Sequence, residues 1–196
     1  MRGMPTENPR RLQRKQTSLR QAFSSHKLNS LRGAFVADKT ERELQAWFKD
    51  AKKVVVAGIG NPNRSDDYVG LKIVEELQGK VRGDVCLLEC ETVPESFLLE
   101  IDECNPTHVL IIDAAVLGHK AGDTCLVNLD DVPAFSAVTS HVLPLRLFCE
   151  YIQKSTNAKI KLLLIEPKSV DFAEGLSPEV QVASEKLEKT LLGLLG

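Results

Sequence analysis

The stretch Lys53–Leu77, KVVVAGIGNPNRSDDYVGLKIVEEL, decides the fold. Val54, Val55 and Val56 form a short β-branched run, as a buried strand requires. Gly58 and Gly60 close it with a tight turn. Ser65, Asp66 and Asp67 then open a helix over 66–79 with apolar positions Val69, Ile73, Val74 and Leu77. Strand, glycine turn and helix together begin a parallel α/β sheet. Ligand sites in such sheets lie beyond the carboxyl ends of the strands. Two adjacent carboxylates at that place are the first candidates for chemistry.

The same pattern continues outward. Asp38–Lys52 reads as a helix capped by Thr40, with Glu43 completing a capping box and Trp47 as a core anchor. Further strands are expected at 84–89 (DVCLLE), 107–113 (THVLIID), 125–129 (CLVNL) and 159–166 (KIKLLLIE). Helices are expected at 95–104, 143–154 and from Pro178 to the C-terminus. Helices between most strands imply a mainly parallel sheet covered on both faces. The short link into CLVNL leaves no room for a crossover helix, so that strand reads as an antiparallel edge.

The chain has 196 residues, 43% hydrophobic and 27% charged, with a net charge of −2. One globular domain over 38–196 accounts for this, and nothing in the overall charge points to nucleic acid. Residues 1–37 differ: positions 1–32 carry eight Lys/Arg against one acid, and the segment reads as a mobile basic tail. No apolar run reaches the roughly 18–20 residues that span a bilayer, and no secretory signal is evident. Cys86, Cys90, Cys104, Cys125 and Cys149 are odd in number and form no CxxC pair. A disulfide framework or zinc knuckle is therefore not expected, and a reducing, cytoplasmic setting is.

Three positions carry potential chemistry. A nucleotide pyrophosphate belongs at a helix N-terminus, but Asp66 and Asp67 would repel it there, and the third glycine of a dinucleotide fingerprint is missing. A cation fits instead. First-turn acids also gain about 0.3–1 kcal/mol from the helix dipole, and Asp66 is assigned that capping role. Asp113 ends an entirely apolar strand. If strands two and three flank strand one on opposite sides, Asp67 and Asp113 face each other across a switch-point crevice. His141 precedes a helix in a connection that can cross the same sheet end. Two carboxylates and an imidazole leave open positions on a borderline transition metal. The N–H groups of Gly58–Asn61 are candidates for holding a substrate strand or an oxyanion. No GxSxG elbow or HExxH motif occurs.

These residues resemble those of the hydrogenase maturation endopeptidases. GIGNPNRSDDYVG at 58–70 is similar to that family's glycine and acidic signature. HVLIIDAA at 108–115 resembles its third strand, and SHVLPL at 140–145 its His-x-x-Pro-Leu element. LLLIEPKSVDFAEGLSPEV at 162–180 resembles its last strand and helix start. Tyr68, Asn63 and Glu166 stand where Gly, a Leu-like residue and Gln are common, and residues 1–37 match nothing in the family.

The resemblance implies a three-layer α/β/α sandwich, phosphorylase/hydrolase-like, with sheet order 2-1-3-5-4 and strand four antiparallel. It implies that Asp67, Asp113 and His141 are both metal ligands and catalytic residues of an aspartic-type endopeptidase. The substrate implied is a nickel-loaded precursor of a nickel–iron hydrogenase large subunit, whose C-terminal extension is removed. Nickel then arrives with that precursor, and the free enzyme, a monomer, holds no tight cofactor. The alternative is a non-cleaving checkpoint or assembly factor for the same subunit.

Overall fold

The computed structural model describes residues 37–131 and 142–196. The expected tail over 1–37 and the candidate ligand His141 therefore lie outside the described residues, apart from Ala37. The elements in order are α1 (Ala37–Phe48), β1 (Val54–Ile59), α2 (Val69–Leu77), β2 (Val85–Glu91) and α3 (Leu98–Cys104). Then follow β3 (His108–Ala114), β4 (Thr124–Val127), α4 (Val142–Thr156), β5 (Lys159–Ile165) and α5 (Pro178–Leu195). Two of the expected helices open as single 3-10 turns, Ser65–Tyr68 before α2 and Pro94–Phe97 before α3.

The sheet order is β2-β1-β3-β5-β4. β1 pairs in parallel with β2 and β3, and β3 pairs in parallel with β5. β4 runs antiparallel to β5 at the edge, as its short approach demands. β2 and β3 therefore leave β1 in opposite directions, which makes the crevice between β1 and β3 a topological switch point. Strand alternation divides the core. Val54, Val56, Leu110, Ile112, Leu163 and Ile165 join one cluster with Leu44 of α1, Ile73 and Leu77 of α2, and Leu187 and Leu191 of α5. α3 and α4 pack together against the other face. No described helix is long and apolar enough to cross a membrane.

Glycine sets how closely α2 approaches the sheet. A Cβ on Gly70 would lie 2.3 Å from both the Ile59 and the Ile112 carbonyl oxygens. One on Gly58 would lie 2.4 Å from the Gly70 oxygen. The obstacles are backbone atoms, so no side chain can move aside to admit a methyl group.

Two expectations fail. Thr40 is not a cap: it lies inside α1, where its hydroxyl donates to Thr124 O at 3.1 Å and accepts from the Thr124 hydroxyl at 3.2 Å. Buried hydroxyls need partners, and β4 supplies them. Cys86 and Cys104 are joined in a disulfide between β2 and the end of α3. Spacing gave no hint of this, because the two meet only once α3 folds back along the sheet. Cys90, Cys125 and Cys149 are free and buried.

Gly70→Ala is expected to destabilise by about 3 kcal/mol in denaturant unfolding, the upper end of ordinary overpacking. Gly193→Ala, in α5 with nothing within 4 Å of the added carbon, is expected to be neutral or to stabilise by up to about 1 kcal/mol. Equal effects would contradict the close approach.

Candidate active site at the carboxyl ends of β1 and β3

The turn after β1 folds back on itself. Gly60 has φ +145°, and a Cβ there would lie 1.8 Å from Asp67 O, so only glycine fits. Gly60 N–H donates to Glu91 O at 2.9 Å, which ties the turn to the end of β2. Asn61 N–H donates to Asp67 Oδ2 at 3.1 Å, and Asp67 N–H donates to Arg64 O at 3.0 Å. The Asp67 carboxylate is thus aimed by the backbone that precedes it, and the residue is only 6% exposed. These bonds also engage the Gly60 and Asn61 N–H groups. The turn does not offer them to a substrate strand or an oxyanion, contrary to the expectation from sequence.

Asp66 is fully buried and has a different task. Its Oδ2 accepts Lys168 N–H at 2.8 Å, Ser169 N–H at 3.2 Å and the Ser177 hydroxyl at 2.9 Å. Its Oδ1 accepts Ser177 N–H at 2.6 Å. Asp66 N–H in turn donates to Ser169 O at 3.1 Å. The residue is a staple between the Asp67 turn and a segment about a hundred residues later. Satisfying those N–H groups, rather than complementing a helix dipole, explains a carboxylate here. Ser65, just before Asp66, holds φ +45°, a strained value for a side-chain-bearing residue. Its N–H donates to Ala173 O at 2.7 Å, which helps to hold that conformation.

Asp113 is fully buried at the penultimate position of β3. It directly follows Ile112, whose carbonyl meets Gly70, three residues after Asp67. The structure therefore brings Asp67 and Asp113 to the same end of two adjacent parallel strands. Beside them Glu166 leaves β5, 4% exposed. Its Oε2 accepts Leu117 N–H at 2.8 Å and its Oε1 accepts Gly118 N–H at 3.3 Å, which pins the loop that follows Asp113. Burial pushes the Glu166 carboxyl above its ordinary value, opposed by these donors.

Among the described residues no group of three His, Cys, Asp or Glu side chains is placed to hold a metal. The third ligand expected from sequence, His141, is outside them. His108 opens β3 far from this end, 3.4 Å from Asp50 and edge-on to Trp47. Burial pushes its imidazole below the ordinary value, against the pull of Asp50. Burial also pushes the Cys90, Cys125 and Cys149 thiols up to about 12, which leaves them inert as nucleophiles.

Residues 71–194 match the family model HycI, hydrogenase maturation protease. A Methanocaldococcus jannaschii protein named for the same activity is 36% identical over 155 residues, spanning 75% of this chain and 90% of that one. The Escherichia coli hydrogenase 3 maturation protease is 26% identical over 142 residues, spanning 72% of this chain and 90% of its own. The crystal structure of HycI from Thermococcus kodakarensis superposes with a TM-score of 0.72 at 31% identity, covering 78% of this chain and 98% of that one.

Asp66→Ala is expected to cost about 3 kcal/mol in unfolding free energy, because it strands several buried N–H groups. Asp67→Asn keeps an acceptor for Asn61 and is expected to cost less than about 1 kcal/mol. The reverse order would contradict the division of roles. For Glu166 the folded state holds its proton more tightly than the unfolded state. Wild-type stability is therefore lost as pH rises from about 4.5, the ordinary value, toward neutrality. Thermal melts should show Glu166→Gln gaining on wild type across that window, and a constant difference would contradict it.

Proposed function

This chain belongs to the hydrogenase maturation protease family, and from that premise we propose that it cuts the C-terminal extension from a nickel-loaded large-subunit precursor. One observation carries the reading. Asp67, 6% exposed in the turn that folds back on the end of β1, and Asp113, fully buried near the end of the adjacent parallel strand β3, lie at the same edge of the sheet. Carboxylates so withdrawn from water suit a cation that approaches from the open end of the sheet.

Nickel is on this reading part of the substrate. Asp67 and Asp113, joined by His141, are the residues that receive it. Two carboxylates and an imidazole leave coordination positions for groups the precursor itself brings. Held there by these residues, a divalent ion would supply Lewis-acid chemistry at the scissile bond. The chain's own contribution is orientation. Asn61 N–H fixes the Asp67 carboxylate, Asp66 locks the turn beneath it, and Glu166 holds the loop after Asp113. The catalysis on this reading is aspartic-type in that carboxylates carry it, and the free thiols of Cys90, Cys125 and Cys149 are buried.

The test is incubation of the purified chain with precursor, with and without Ni²⁺ loading, read by intact mass. Loss of a C-terminal fragment is expected only from the loaded precursor. Asp67→Asn, Asp113→Asn and His141→Ala should each slow it by more than the roughly 10–100-fold typical of losing an outer-sphere partner. Undiminished cutting by folded Asp113→Asn removes that residue from the scheme. Binding without any mass change identifies a non-cleaving assembly factor instead.

A further inference from the structure

Apolar exposure on this molecule is not scattered evenly. Among the described residues seven large hydrophobics are exposed. Leu99, Leu147, Tyr151 and Val182 lie on helix faces. The other three, Val93, Val116 and Phe172, lie on the loops that leave the carboxyl ends of β2, β3 and β5. Those loops surround the sheet end that holds Asp67 and Asp113. Loop tips ordinarily carry small or polar residues, so apolar side chains on three loops at one end of the sheet call for a reason.

Phe172 is the most exposed of the seven, at 80%, yet its loop is firmly held. The base is bound by the Asp66 carboxylate through Lys168, Ser169 and Ser177. The tip is bound by Ser65 N–H to Ala173 O at 2.7 Å and by Ala173 N–H to Asn63 O at 3.2 Å. Arg64 lays its guanidinium 5.2 Å from the Phe172 ring centroid while its Nε donates to Val170 O at 3.0 Å. The Arg64 carbonyl accepts the Asp67 N–H. Ring, guanidinium and Asp67 therefore belong to one bonded unit. Val116 is comparably placed, one residue before the Leu117 N–H that Glu166 holds.

We propose that Val93, Val116 and Phe172 form an apolar collar that docks the substrate polypeptide around the cut, with Phe172 as its anchor. The occupant is an extended segment of the precursor with an apolar side chain on the open face of the Phe172 ring. The argument for that occupant is continuity: the collar borders the proposed site, and Phe172 is bonded through Arg64 to the turn that carries Asp67. A side chain already held in place loses little freedom on binding, so its buried area converts efficiently into affinity. Aromatic residues on rigid supports commonly dominate such interfaces. The inference rests on the proposed function for the identity of the substrate.

The experiment uses the full chain and the nickel-loaded precursor. Precursor affinity is measured by equilibrium binding, and KM and kcat by intact mass. Phe172→Ser should raise both Kd and KM about tenfold with kcat within twofold, and Val116→Ser should raise them severalfold. Val182→Ser, an equally apolar exposure on α5, should change neither. Unchanged Kd and KM in Phe172→Ser overturn the collar, as does a change of oligomeric state in that variant without an effect on precursor binding. Wild-type protein that binds but does not cut refutes the protease reading while leaving the collar to be judged on Kd. Failure of wild type to bind the precursor overturns both.

Discussion

The whole site depends on one steric constraint, the contact of Gly70 with the carbonyl ends of β1 and β3. Backbone meets backbone there, with the Ile59 and Ile112 oxygens 2.3 Å from where a methyl group would stand. Gly58 repeats the condition one turn below. Because α2 sits this low on the sheet, the chain between Gly60 and Tyr68 must double back over the end of β1. Asp67 is thereby delivered next to the strand that ends in Asp113 and Ala114. A helix start one methyl group higher would separate the two carboxylates and open the turn to water.

The adjacent acids then divide the work. Asp67 is aimed by its own turn, and Asp66 fastens that turn to the segment between β5 and α5. The fastening reaches the N-cap of the C-terminal helix through Ser177, so the helix that packs beside α2 on the same face of the sheet is bonded to the site. Glu166 performs the matching service for the loop after β3. Each staple is a buried carboxylate satisfied by backbone N–H groups, an arrangement that is costly to break and hence rigid. On the proposed reading, Asp67 and Asp113 are thus supported from below by residues of the same chemical type, Asp66 and Glu166.

Much of this was legible in the sequence. Short apolar runs ended by glycine or acids marked every strand to within two residues, because strands buried on both faces leave few other solutions. The antiparallel edge was legible from the short approach to β4. Strand order came from resemblance, since local patterns carry no information on which strands become neighbours. What failed was the assignment of polar side chains to partners. Thr40 looked like a cap and instead bonds β4, 84 positions away. Asp66 looked like a dipole complement and instead bonds Ser177, 111 positions away. Cys86 looked like an unpaired thiol, and its partner lies 18 residues on, across a helix. Local chemistry in each case admitted a local explanation, and tertiary packing supplied a distant one.

The central claim is that Asp67 and Asp113 act on one ion. A double-mutant cycle on the nickel-dependent part of precursor binding, comparing nickel-loaded with nickel-free precursor and using Asp67→Asn, Asp113→Asn and the pair, measures that directly. If the carboxylates share an ion, each single change removes most of the binding and the double variant loses little more. Independent, additive losses, or undiminished binding by Asp113→Asn, would contradict a shared site.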